Sequence, residues 1–226
     1  MSRVITALYL ADSLIHLLSC CPPVRERLRR ATKCLLMPLL TLWYGSVAIQ
    51  FSPLLAAGLL FGGLGDALLA VPNKSWAFAS GAAAFAAGHV CYAVYFFSRT
   101  RWDALPPGWV IAALAVFYLL GIAALMRVLW PRIPKDLFVP CLFYMAVICL
   151  MSVSAFLFSW SRGGGWRFIT FIGSVLFLFS DAVLCIGTFR RKLKYRHLIV
   201  MSTYLPAQTM IACAAAVIGG LRQWNF

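Results

Sequence analysis

Two aspartates, Asp66 and Asp181, each follow a run of uncharged, mostly apolar residues. A charge at the centre of an apolar span costs several kcal/mol, so acids in such positions face a polar cavity or a partner and carry function. The chemistry open to them is that of carboxyl groups held out of water, the donation and acceptance of protons. Other polar residues stand at helical spacing in similar runs. Tyr204 and Gln208 are one turn apart at i and i+4, and His89 and Tyr92 are likewise one turn apart. Lys33 opens an apolar run, where it can meet a phosphate. Asp12 and His16 are again i and i+4, a spacing at which they can pair with each other. Each of these residues also has a structural reading. Tyr204 and Gln208 can serve as hydrogen-bonding glue between helices, His89 can bond a backbone carbonyl, and Lys33 can snorkel from a helix end. That reading is weakest for the two aspartates, because leucine fills a structural role in an apolar span at lower cost.

The elements that position these residues follow from hydropathy. The 226 residues are 63% hydrophobic and only 12% charged, against about 25% charged in soluble domains, and the mean hydropathy is +0.88. Apolar runs long enough to cross a hydrocarbon core of ~30 Å recur along the whole chain. Backbone groups in lipid must be satisfied within the segment, so the runs are helices. The expectation is an all-α polytopic membrane bundle of about eight transmembrane helices in one integral domain, residues 1–226. The expected spans are 4–20, 34–50, 52–71, 77–97, 108–129, 137–160, 168–187 and 198–221. Prolines at 22–23, 72, 106–107 and 131–134 mark breaks, and Pro53 marks a tight hairpin. On this layout 14 of the 20 Lys and Arg fall on the odd-numbered connections or at the span ends beside them. The positive-inside rule then puts those connections in the cytoplasm and both termini outside. Asp66 and Asp181 would lie at similar depth, on helices running in the same direction. An offset of 115 residues, the spacing between them, aligns 65–69 (GDALL) with 180–184 (SDAVL). Either the bundle is a 4+4 parallel repeat or lipid-facing composition produces the match by coincidence.

The +14 net charge would suggest nucleic acid in a soluble protein. Here the basic residues gather between apolar runs, as topology determinants and contacts to lipid headgroups, and no nucleic-acid partner is expected. The eight cysteines lack metal-ligand spacing and read as small buried apolar residues. Residues 17–20 (LLSC) resemble a lipoprotein cleavage box. With only Arg3 as a basic flank and Asp12 in mid-run, however, 4–20 reads as a retained first span. Three histidines, a single glutamate and no H-E-x-x-H do not fit a protein-bound zinc or di-iron centre, so no metal or cofactor is expected. The Gly-rich 61–65 lies inside a span and reads as close helix packing.

Five stretches in order, 33–38 (KCLLMP), 61–69 (FGGLGDALL), 85–92 (FAAGHVCY), 173–184 (GSVLFLFSDAVL) and 203–211 (TYLPAQTMI), resemble the lysoplasmalogenase family of eight-span membrane proteins, also called YhhN-like. The likeness runs over nearly the whole chain. It departs where the family commonly shows two adjacent tyrosines: here Tyr204 is followed by Leu205 and Pro206. The resemblance implies hydrolysis of the vinyl-ether bond of a lysophospholipid, the lysoplasmalogen. The products are a fatty aldehyde and glycerophosphocholine or glycerophosphoethanolamine, and no metal is required. It implies that one of Asp66 and Asp181 protonates the β-carbon of the vinyl ether while the other orients water and steadies the resulting cation. His89, Tyr92, Tyr204 and Gln208 would position the substrate and Lys33 its phosphate. The setting would be an inner membrane in a bacterium or the endoplasmic reticulum in a eukaryote.

Two other readings stand beside it. Residues 63–66 (GLGD) match the G-x-G-D string of intramembrane aspartyl proteases, although a presenilin-like Tyr-Asp pair on the preceding span is absent. Intramembrane ionisable groups and a parallel repeat also fit a non-enzymatic transporter of lipid or solute.

Overall fold

The computed structural model describes residues 2–21, 23, 25–71, 75–163, 165, 168–190 and 193–220. The expected breaks at Pro22 and Pro72 and the last residue of the expected eighth span lie outside them. Among the described residues there are eight α-helices and no strand. They are α1 (Ser2–Cys20), α2 (Glu26–Val47), α3 (Pro53–Leu69), α4 (Ser75–Arg99), α5 (Gly108–Leu129), α6 (Lys135–Ser161), α7 (Phe168–Phe189) and α8 (Arg196–Ile218). A 3₁₀ turn, Trp102–Ala104, lies between α4 and α5. Six of the helices, all but α2 and α3, are long and apolar enough to cross a membrane, and α3 is a shorter apolar helix. The chain is an integral, multi-pass membrane protein built as a helical bundle.

Helix α2 differs most from its expected span. It starts eight residues before 34 and ends before 50, because its first two turns are charged and helical at once. Glu26 there holds Arg29 at 2.7 Å, the i,i+3 pairing that supports a helix start. Its end is set by the extended segment that follows. Ile49 and Gln50 donate their backbone N–H groups to Gly220 and Gly219 at 2.8 and 3.0 Å, satisfying groups that a helix would have satisfied internally. The Tyr44 hydroxyl accepts the N–H of Ser52 at 3.0 Å, and Pro53 then opens α3 at a position where no N–H is needed.

The chain forms two compact units. The first comprises Met1–Tyr92 and Gln208–Phe226, the second Ala93–Ala207. In the first, α1 packs on α2 and α2 on α3. Helix α3 approaches α4 through glycines: a Cβ on Gly88 would stand 2.9 Å from the backbone oxygen of Gly58, and one on Gly65 would stand 2.6 Å from the Phe85 ring. The glycine-rich stretch is thus a helix-packing surface.

In the second unit α6 packs on α7, and α5 makes lighter contact with both. Only Tyr118 and Leu129 of α5 are buried. The anchor of α5 is a hydroxyl chain. Ser174 donates to the carbonyl of Phe171, so it accepts from Ser152, which in turn accepts from Tyr118 at 2.6 Å. Helix α6 ends where Gly163 takes φ 90°, the left-handed conformation that closes helices and that glycine adopts without strain.

Candidate functional site

In the first unit the α2–α3 hairpin has a simple register. Lys33 lies about fourteen residues before the end of α2 and Asp66 about thirteen after the start of α3, so at ~1.5 Å per residue both stand roughly 20 Å from the hairpin. Gly63, one turn before Asp66, brings the helices together there. A Cβ on it would sit 3.0 Å from the Cβ of Met37. The Lys33 Nζ reaches Asp66 Oδ1 at 2.9 Å, with the side chains 15% and 3% exposed. The cation expected to meet a phosphate is therefore the partner of the buried acid.

Further along this unit, His89 and Tyr92 of α4 are both fully buried. Their rings meet edge to face with centroids 6.3 Å apart. The Tyr92 hydroxyl donates to Gln208 Oε1 at 2.8 Å, and its ring lies over Gly58, where a Cβ would come within 2.3 Å. Only glycine admits the ring at that place. On α1, His16 does not turn to Asp12. Its Nδ1 meets Thr32 Oγ1 at 2.7 Å. Thr32 already donates to the Leu28 carbonyl, so Nδ1 carries the proton in that bond and Nε2 is left to accept from the Cys20 thiol at 3.7 Å.

The second unit contains Asp181 and Tyr204. Asp181 accepts a hydrogen bond from the hydroxyl of Tyr144 on α6. Both line a cavity of about 350 Å³ between α5, α6 and α7, whose remaining walls are almost wholly apolar. Tyr204 is buried and sets its ring edge-on against Phe177, centroids 5.2 Å apart. Immediately before Asp181, Ser180 donates to the carbonyl of Val200 at 3.1 Å, fixing α7 against α8 within this unit. Tyr144 was not among the residues singled out from sequence. It sits in an apolar run without a charged neighbour at helical spacing, and only the packing of α6 on α7 reveals it.

Of the expected site residues, Lys33 thus pairs with Asp66, Tyr92 with Gln208 beside His89, and Asp181 with Tyr144, and the Tyr204 ring meets Phe177. Among the described residues no three His, Cys, Asp or Glu side chains gather in a metal-binding cluster. Outside the membrane-spanning helices, Arg101 donates to Asp103 at 2.8 Å. That bond, more than any other influence, holds the Asp103 carboxyl below its ordinary value. Chemically, the first unit presents a buried carboxylate held by an ammonium, and the second a carboxyl held by a phenol beside an apolar cavity. Both are suited to proton transfer and to steadying a cation away from bulk water.

Residues 28–215 match the YhhN family. Human lysoplasmalogenase TMEM86B is 31% identical over 176 residues, 77% of this chain and 68% of its own length. Its pig (Sus scrofa) counterpart is 33% identical over 172 residues, 74% and 65% of the two chains. A lysoplasmalogenase of Mycobacterium bovis is 32% identical over 136 residues, 60% and 49%. The chain therefore spans from about half to just over two thirds of the length of these relatives. No solved structure matches it.

Proposed function

Because the chain belongs to the YhhN family, we propose that it is a membrane hydrolase that cleaves the vinyl-ether bond of lysoplasmalogens, with its intramembrane aspartates as acid–base groups. The observation that carries the reading is the buried Lys33–Asp66 pair. An ion pair at that depth is expensive to keep, and a reaction that passes through a cation gives it a use.

The chemistry proceeds in balanced steps. A carboxyl proton adds to the β-carbon of the vinyl ether, leaving an oxocarbenium ion. Water adds at the α-carbon and gives up a proton. The hemiacetal then breaks to a fatty aldehyde and the glycerol hydroxyl of the headgroup fragment. Asp66, the anion of an ion pair, suits the parts that need negative charge, holding water and steadying the cation. Asp181, with a phenol for a partner in an apolar cavity, suits proton donation. Tyr92 and Gln208 supply a pre-formed hydrogen-bonding pair for a glycerol hydroxyl or ether oxygen, with His89 beside them. Lys33 contributes through Asp66 and, at the start of the apolar part of α2, offers charge for a phosphate. Tyr204 supports α7 through Phe177. Family membership does not favour the protease or transporter readings.

The test is aldehyde release by the purified protein from a lysoplasmalogen, followed with a coupled aldehyde dehydrogenase. The wild type is expected to release aldehyde, and Asp66→Asn and Asp181→Asn each to lose it by about 10²-fold or more. Full activity in both variants would refute the roles assigned to the aspartates. A wild type that releases no aldehyde would refute the function.

A further inference from the structure

A third aspartate, Asp12, lies near the middle of α1, a helix long and apolar enough to cross a membrane. The reaction proposed above does not use it. The partner its spacing suggests, His16, faces Thr32 and Cys20 instead. Asp12 Oδ2 is buried and has no hydrogen-bond partner among the described residues, and the same holds for the hydroxyl of Ser13 beside it. Folded proteins leave few such oxygens, and those they leave mark places that water or an ion fills.

The two oxygens converge on a third. Positions 9, 12 and 13 are i, i+3 and i+4, one face of a helix, and Asp12 and Ser13 both stand close enough to the Tyr9 hydroxyl to act on it. Tyr9 is itself buried. Its hydroxyl lies 2.6 Å from Thr209 Oγ1 on α8, within the same compact unit.

A proton, a water molecule and a cation would fill this place differently. A proton on Asp12 would cancel its charge and leave Ser13 unpartnered. Water would partner both oxygens and leave a carboxylate in an apolar span, which is costly. A cation meets both needs. Oxygens that share a hard cation at ~2.4 Å stand ~3.4 Å apart when they subtend a right angle. Asp12 Oδ2 and Ser13 Oγ are likewise neighbours that do not bond each other. One carboxylate among neutral hydroxyls balances a single positive charge, whereas divalent cations gather several carboxylates. An all-oxygen set, without thiolate or imidazole, selects a hard ion.

We propose that Asp12 Oδ2, Ser13 Oγ and the Tyr9 hydroxyl bind a sodium ion, with water completing its shell. Thr209 accepts the Tyr9 hydrogen and so turns a phenol lone pair toward the ion. The ion fastens α1 to α8 one residue from Gln208, and the stability of the first unit depends on sodium. This site stands apart from the hydrolase reading and survives its failure.

The test is thermal unfolding of the purified full-length protein in an uncharged detergent at neutral pH. Sodium chloride is exchanged stepwise for N-methylglucamine chloride at constant ionic strength, so that only the identity of the cation changes. The wild-type midpoint should rise with sodium and saturate, standing about 3–6 °C higher at a concentration about ten times the dissociation constant. Asp12→Asn should abolish the sodium-specific rise. Ser13→Ala, which removes one neutral oxygen, should need about tenfold more sodium for the same rise. Asp103→Asn, at an exposed acid far from this set in sequence, should keep the wild-type response. A wild-type midpoint that is the same in sodium and N-methylglucamine would overturn the proposal, as would a sodium response that survives Asp12→Asn. If Asp12→Asn does not fold, Ser13→Ala decides, and an unchanged sodium requirement in that variant would overturn it equally.

Discussion

Replacing Lys33 with methionine removes the ammonium that faces Asp66 while keeping most of the side chain's length and apolar body. Asp66 is 3% exposed and cannot recover its loss from solvent, whereas Lys33 itself is 15% exposed. Removing one partner of a buried ion pair costs about 3–5 kcal/mol, because the remaining charge is left uncompensated. The partial exposure of Lys33 places this pair at the lower end, ~3 kcal/mol. For a chain of this size each kcal/mol moves the midpoint of thermal unfolding by about 2–4 °C, so Lys33→Met should lower it by roughly 6–12 °C. Asp66→Asn should cost less, because the Lys33 ammonium it leaves unpaired is partly exposed and its long stem can carry the charge toward water. In the double variant both charges are gone and the cost should fall well short of the sum, since neutral replacement of a buried pair is often close to neutral. The coupling from the cycle, ~1–3 kcal/mol, can be read by thermal unfolding of the detergent-solubilised protein followed by intrinsic fluorescence. A Lys33→Met midpoint within about 2 °C of wild type, or strictly additive single effects, would refute the argument that the pair is buried and coupled.

Tyr92→Phe removes the donor to the buried Gln208 and should destabilise the protein by ~1 kcal/mol, between the typical value within membranes and that for a buried unsatisfied group; the same unfolding assay reads it. Gly88→Ala should destabilise by ~1–3 kcal/mol, because its Cβ would meet a backbone oxygen at 2.9 Å that cannot turn aside. Gly121→Ala should instead stabilise by up to ~1 kcal/mol, with open space around it. For Asp103 the sign follows from its depressed value. Its pairing with Arg101 stabilises the fold above the ordinary aspartate range and is lost as pH falls through the lowered folded value. Both groups are fully exposed, so Asp103→Asn should leave aldehyde release at neutral pH unchanged and remove only a salt-sensitive acid-side component of the unfolding midpoint.

Sequence carried the architecture because hydropathy and proline report on each helix alone. Eight helices could be placed, and for α5 the expected limits 108–129 coincide with Gly108–Leu129. Helix α2 was misjudged at its start because a charged amphipathic turn and a loop look alike to a hydropathy window. Arg29 and Arg30 folding back on Glu26 distinguish them. The site was legible as a set of residues and much less as a set of pairs. Lys33 and Asp66 were each picked out, and counting residues from the hairpin in both directions would have paired them, since antiparallel helices joined by a short link keep equal heights at equal separations. No such count reaches Tyr92 and Gln208, which lie 116 residues apart in sequence, or Tyr144 and Asp181. Those pairs depend on which non-consecutive helices pack together and on small residues such as Gly58 that admit a large ring, and no local pattern encodes that.

The central claim is that this chain protonates and hydrolyses a vinyl ether, and one experiment addresses the bond chemistry itself. The purified protein is given a lysoplasmalogen in D₂O, the reaction is quenched early with borohydride to fix the aldehyde as an alcohol, and the product is examined by mass spectrometry. Proton delivery to the β-carbon predicts one deuterium on carbon 2 of the released chain, with wild-type turnover and little turnover in Asp66→Asn and Asp181→Asn. Release of a chain bearing no deuterium at carbon 2, or no release at all, would contradict it.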